Sequence, residues 1–437
     1  MMKIMSKILI FVVVLFQSTI LFAAAPKPVL NPGDASWMLT STALVLLMTI
    51  PGLALFYGGL VGKKNVVSTI SQSFMITCVV TLVWFVGGYS LTFGEGNLFI
   101  GDLSKLFLKG VDVAALNMTI PETVFICYQL TFAIITVSLI CGSIVERVNF
   151  GALFIFVVLW ALLVYAPIGH MVWGGGYLSK LGVLDYAGGT VVHINSGVAG
   201  LVAALVIGKR KSKARPHNIA LTMIGASMLW VGWFGFNAGS AVAANGSAGM
   251  AMLVTQIAAA TAGVAWMLAE WFSGEKKPSL LGMCSGAVAG LVAITPASGF
   301  VGPSGAFFIG LAAGIFCYLT CTKLKSALGY DDSLDVFGIH ALGGALGAIL
   351  TGVFTLKAIG GTAGLLEGNA AQVKLQLIGV VVTVAYTAIA TYIILKVVNL
   401  ITPLRASDAQ ERDGLDLSQH GDCLLYTSDA ADEEDSV

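Results

Sequence analysis

Two of the chain's five histidines, His193 and His340, stand inside long apolar, glycine-rich runs, and each follows an aspartate by eight residues, Asp185 and Asp332. An ionisable side chain at membrane depth is costly and marks a functional site by default. The runs VVHINSGVAGLVAALVIG and VFGIHALGGALGAILTGVF both place glycine four and seven residues after the histidine, at Gly197 and Gly200 and at Gly344 and Gly347. That repetition points to two related halves, each contributing one histidine. In contact, the two rings could hydrogen-bond each other, fix their tautomers and offer a nitrogen to a neutral molecule, or relay a proton. The alternative is a pair of buried histidines bonded to backbone carbonyls.

The elements that must position these rings follow from composition. Hydrophobic residues make up 57% of the 437 and charged residues 11%, against about 25% charged in a soluble domain. The chain is therefore expected to be an all-α polytopic membrane protein. Its formal net charge of +0 argues against a nucleic-acid partner. Six of the seven cysteines lie in apolar runs without metal-ligand spacing, so no metal or cofactor is expected.

A span needs about 20 apolar residues, and eleven stretches qualify: 37–61, 67–92, 122–145, 150–172, 188–208, 218–240, 249–272, 279–296, 304–324, 334–356 and 373–400. Before them, Lys3 and Lys7, an apolar run from Ile8 to Phe22 and small residues at Ala23 to Ala25 give residues 1–25 the layout of a cleaved signal peptide. Residues 26–400 then form the transmembrane domain. Lys63, Lys64, Arg147, the cluster from Lys209 to Arg215, Lys276, Lys277, Lys323 and Lys325 fall in alternate loops. The positive-inside rule then places the N-terminus outside and the C-terminus in the cytoplasm.

On this map the fifth span runs inward from outside and the tenth outward from inside. Eight residues at 1.5 Å each put both histidines about 12 Å beyond their aspartates, near the midplane from opposite sides. Five spans, five of opposite orientation and one extra make an inverted repeat, whose pathway is expected at the repeat interface. Gly282, Gly286 and Gly290, and Gly343 with Gly347, suit close helix approach.

Around the histidines lie groups suited to a cation: Tyr128 and Phe132 in the third span, Trp173 ending the fourth, and Phe236 and Ser240 ending the sixth. All map to the outer side. An aromatic face attracts a cation by about 0.5–2 kcal/mol, and the serine oxygen accepts an N–H. A bare ammonium in an apolar path costs tens of kcal/mol. Losing its proton is cheaper: for a lysine-like amine of pKa about 10.4, about 4–5 kcal/mol at pH 7. Such a path passes ammonia and rejects potassium, which has no proton to give.

The segments MTIPGLALFYGGL, HMVWGGG, LDYAGGTVVHIN, WFGFNAGS, PSLLGMCSGAVAGLVAITPA and DDSLDVFGIHALGG resemble the signature strings of the ammonium transporter family (Amt, with Mep and Rh relatives), over residues 35 to 420. The resemblance implies an eleven-helix bundle with an inverted five-helix repeat, assembled as a homotrimer in the cytoplasmic membrane. It implies that Trp173, Phe132 and Ser240, with Tyr128 beside them, recruit external ammonium, that Phe132 and Phe236 stack as an outer gate, and that Asp185 supports the site structurally and electrostatically. By the same resemblance His193 and His340 would be the twin-histidine pair of the pore; the resemblance leaves open whether neutral ammonia passes alone or ammonia and a proton move separately, and net charge transfer is the favoured expectation. Residues 401–422 resemble a cytoplasmic tail that docks a PII-class nitrogen-signalling protein. Residues 423–437 have no counterpart and read as read-through rather than a functional extension.

Two rivals remain at this level. A metalloenzyme using the two histidines would want further ligands at depth, and no span supplies them, so no enzyme activity is expected. An ammonium sensor of the same fold is the other, although a fused signalling domain, which sensors usually carry, does not follow residue 400.

Overall fold

The computed structural model describes residues 28–211, 214–273 and 276–422. The expected signal peptide at 1–25 and the atypical segment 423–437 lie outside the described residues. Every stretch read as a span is helical: α1 (Pro32–Leu60), α2 (Lys63–Phe93), α3 (Glu122–Cys141), α4 (Phe150–Leu181, interrupted by a turn at Trp173), α5 (Gly189–Ile207), α6 (Ile219–Ala238), α7 (Gly246–Phe272), α8 (Leu280–Ile294), α9 (Pro303–Leu328), α10 (Phe337–Phe354) and α11 (Ala371–Ile401). Ten of these are long and apolar enough to cross a membrane, and α8, at fifteen residues, is shorter. A two-residue hairpin, β1 (Leu116–Asn117) with β2 (Ile120–Pro121), precedes α3.

The helices start where the sequence offers caps. Asn31, Asn149, Asn218, Asn245 and Ser279 each accept backbone N–H bonds at the first turn of α1, α4, α6, α7 and α8, satisfying donors that have no partner within the helix. Small residues then let helices approach. A Cβ at Gly290 would collide with the Ala258 carbonyl, and Gly310 and Gly314 of α9 meet the same stretch of α7. The Gly282–Gly290 stripe, with Gly310 and Gly314, is thus spent on packing α8 and α9 against α7, while Gly347 of α10 meets the Ala293 carbonyl of α8.

Both histidine helices begin with a π-type turn, Gly189–Ile194 in α5 and Phe337–Leu342 in α10. Another, Phe234–Ala238, ends α6 and carries Phe236. A π-turn inserts an extra residue and rotates the side chains that follow, and such turns are frequent at functional sites.

One end of the bundle gathers a buried network of charges. Arg210 bonds Glu146 at 2.7 Å and Asp331 at 2.8 Å. Burial alone would raise the Asp331 carboxyl, but hydrogen bonds from Arg210 hold it well below the usual carboxylate range. The fully buried Arg147 donates to the carbonyls of Ser143, Gly208 and Asp331 and to Ser333 Oγ. The chain after α11 folds back onto this end. Ala406 N–H donates to the Arg147 carbonyl, Asp416 accepts from Ser68 N–H at 2.7 Å, and Gln419 accepts from Phe150 N–H. Between these contacts lies a short helix, α12 (Asp408–Asp413), closed by a Ser407–Gln410 capping box.

Candidate functional site

The Asp185 carboxylate builds the start of α5. Its Oδ1 accepts from Gly188 N–H (2.8 Å) and Gly189 N–H (2.6 Å), and its Oδ2 from Thr190 N–H (2.8 Å), Val191 N–H (3.2 Å) and the Thr190 hydroxyl. A carboxylate at a helix N-terminus meets unpaired N–H groups and the positive end of the dipole. Gly188 turns the chain there at φ +114°, a conformation only glycine adopts freely. The backbone carbonyl of Asp185 accepts the Trp173 indole N–H at 2.9 Å. One aspartate therefore orients both the first turn before His193 and the indole at the mouth.

The mouth is a cavity of about 260 Å3 lined in part by Phe125, Gln129, Phe132, Trp173, Tyr186 and Ser240. Phe132 meets Trp173 edge to face with ring centroids 5.7 Å apart, and stacks on Phe236 at 4.2 Å and 17°. Below this stack Phe236 is 6.0 Å from His193, and His193 stacks on His340 at 5.3 Å with the two Nδ1 atoms 3.2 Å apart. Trp233 stacks on His193 at 5.4 Å and 20°, its indole N–H bonded to Thr295. The rings from Trp173 to His340 form one continuous column, and both histidines are buried.

A second cavity of about 260 Å3 opens from the charged end, with Phe56, Arg210, Ser285, Asp335 and Ile339, the residue before His340, among its lining. At the head of α10 the fully buried Asp332 caps Phe337 N–H at 2.7 Å through Oδ2, while its Oδ1 has no hydrogen-bond partner among the described residues.

Of the residues singled out from the sequence, Phe132, Trp173 and Ser240 share the mouth cavity, and Phe236, His193 and His340 continue beneath it. Tyr128 stands apart: it is fully buried and outside the cavity lining, and its hydroxyl reaches the Gly235 and Phe236 carbonyls and Ser240 Oγ. Sequence reasoning missed Gln129, Tyr186 and Trp233. Gln129 is three before Phe132, and Trp233 is three before Phe236, spacings that place each beside a recognised residue on its helix. Among the described residues no group of three or more His, Cys, Asp or Glu could hold a metal ion.

The fold defines a multi-pass helical membrane protein, with a column of rings leading down from its mouth cavity. The chain belongs to the ammonium transporter family: the family model described as Ammonium Transporter Family matches residues 36–424. It is 50% identical over 404 residues to an ammonium transporter of Aquifex aeolicus, covering 92% of this chain and 95% of that one. It is 48% identical to one from Bacillus subtilis, covering 89% and 98%. Among solved structures, Saccharomyces cerevisiae Mep2 superposes with a TM-score of 0.81 at 37% identity over 87% of this chain and 88% of that one. A sensor Amt protein superposes at 0.83 with 28% identity, over 89% and 98%.

Proposed function

We propose that this chain, an ammonium transporter by family, recruits ammonium between Trp173, Phe132 and Ser240, passes it behind the Phe132–Phe236 stack as ammonia, and conducts that ammonia along His193 and His340 while the proton moves separately. The observation that carries this reading is the unbroken column of rings. Two aromatic faces and a hydroxyl at its mouth suit a cation, and the apolar stack beneath them suits only a neutral molecule.

The histidine contact adds a chemical argument. Two Nδ1 atoms 3.2 Å apart can share one hydrogen, so one ring donates and the other accepts. In a neutral pair the donor's Nε2 is then bare, and the acceptor's Nε2 carries the remaining hydrogen. His193 Nε2 has no other partner among the described residues. The pair thus offers one acceptor and one donor, matching ammonia's own hydrogens and lone pair. A doubly protonated pair would point N–H at N–H and is disfavoured.

Asp185, spent on backbone N–H groups, acts in this scheme by holding Trp173 and α5 in place. Tyr128 acts through its contact with Ser240. The collection of Arg147, Arg210, Lys64 and Lys325 at one end supports a cytoplasmic position for that end, with the protein in the cytoplasmic membrane, the N-terminus outside and the tail inside. The same reading takes the assembly as a homotrimer and the folded-back tail of residues 401–422 as part of a face for a PII-class signalling protein. The sensor reading has less support, since identity to the solved sensor is 28% against 50% for the Aquifex transporter.

The decisive experiment is an ammonium jump on liposomes holding the protein. Wild type should give a transient current with ammonia uptake. His193→Ala with His340→Ala should stop flux or admit potassium, and behaviour identical to wild type would remove the role assigned to the pair. Folded protein giving neither current nor flux would overturn the transport reading itself.

A further inference from the structure

A groove runs along the membrane-facing surface between α5 and α11, away from the ring column. Its apolar part, about 650 Å3, is walled by Val202 and Leu205 on one side and Ile389 and Ile393 on the other. Leu205, Ile389 and Ile393 are all more than half exposed. At Lys396 the groove continues into a polar chamber of about 210 Å3 that adds Asn399 and Arg405.

The charge at this junction is uncompensated. Arg405 is paired with Glu411, whereas Lys396 has no carboxylate partner among the described residues, and its Nζ rests 5.2 Å from the centroid of the Tyr392 ring. Tyr392 lies one turn before Lys396, on the side away from the helix end at Ile401. Lys396 is itself about 7.5 Å short of that end. A lysine near a span's end normally extends its ammonium outward to the headgroup layer. This one turns back along the helix over an aromatic ring that also lines the apolar groove. A cation held there is costly unless an anion comes to it, and the cation–π contact offsets only part of that cost.

We propose that the groove is a binding site for an anionic phospholipid of the bilayer, with an acyl chain along Leu205, Ile389 and Ile393 and the headgroup phosphate on Lys396 and the Asn399 amide. The apolar channel and the single net positive charge at its polar end match the two parts of such a molecule. A zwitterionic lipid fills the channel equally well but brings a positive group to Lys396.

The test is lipid retention. Full-length protein is incorporated into vesicles of equal phosphatidylglycerol and phosphatidylcholine, re-extracted in mild detergent, and its bound lipid counted by native mass spectrometry. Wild type should retain phosphatidylglycerol over phosphatidylcholine by about fivefold, the effect of one lysine near an anionic surface. Lys396→Gln should erase the preference while still holding lipid, and Ile389→Trp, which fills the channel, should lower retention of both. Equal retention by wild type, or a preference that survives in Lys396→Gln, overturns the site. A change of oligomeric state in Lys396→Gln would instead make the groove a contact between copies and equally overturn it. Melting temperatures of both variants, measured alongside, separate lost binding from lost fold.

Discussion

The two histidine-bearing segments share a spacing and a π-turn, yet their aspartates do opposite things. Asp185 spends both oxygens on five hydrogen bonds that close the start of α5 and, through its carbonyl, holds Trp173. Asp332 makes a single bond, to Phe337 N–H, and leaves its other oxygen buried without a partner among the described residues. The first half is a rigid frame for an aromatic mouth. In the second half support comes from neighbours, with Arg210 and Arg147 gripping the adjacent Asp331. The same spacing and π-turn therefore recur while the carboxylate is put to two uses.

The sharpest way to break this comparison is to truncate both aspartates. Asp185→Ala should leave several buried N–H groups unpaired, at a cost on the order of 4 kcal/mol, and abolish flux. Asp332→Ala, which leaves one buried N–H unpaired, should cost about 1–2 kcal/mol. Thermal unfolding in detergent decides, and equal losses would refute the difference. Next, Arg210→Gln should destabilise by about 3 kcal/mol, since it strands Glu146 and Asp331; a variant as stable as wild type would show that the second half does not depend on the charged end. Smaller still, Tyr128→Phe removes the hydroxyl behind Ser240 and should raise the half-saturating ammonium concentration roughly threefold at unchanged stability, as expected for one modest hydrogen bond. An unchanged value would make Tyr128 packing alone.

The smallest effect concerns the tail. Burial holds the His420 imidazole below its ordinary value, with Asp416 and Asp422 pulling the other way. A histidine depressed in the docked state favours docking fully above its free value of about 6.5, and that contribution is lost as pH falls below it. Burial raises Asp416 despite its backbone hydrogen bonds, so its acid titration acts in the opposite sense. Protection factors over residues 404–421, corrected for the intrinsic pH dependence of amide exchange, should therefore fall between about pH 7.5 and 5.5 in wild type and change less in His420→Gln. The same fall in both would assign the effect elsewhere.

Much of this was legible in one dimension because the membrane enforces it. Long apolar stretches must be helices, so the span positions followed within a few residues, the exceptions being frayed or π-turned ends such as those of α3 and α10. The histidines stood out because an ionisable group in an apolar run is costly. Tyr128 was harder to place, since an aromatic side chain reads alike whether it faces a cavity or backs its wall. Gln129 and Trp233 were missed because an amide or indole in a span reads as packing; their spacing of three from Phe132 and Phe236 was the one signal, and only the cavity and the His193 ring give them a direction.

What the sequence determined by itself is the class of molecule, the pairing of an aspartate with each histidine and the family, because apolar length, residue type and spacing are local properties. Only the tertiary structure decided that the two Nδ1 atoms meet at 3.2 Å, that Asp185 is consumed by backbone donors while Asp332 is not, and that the chain after α11 returns to the charged end. Those outcomes join residues far apart in the chain, or turn on a side chain's direction at a π-turn, and they exist only once the helices have packed.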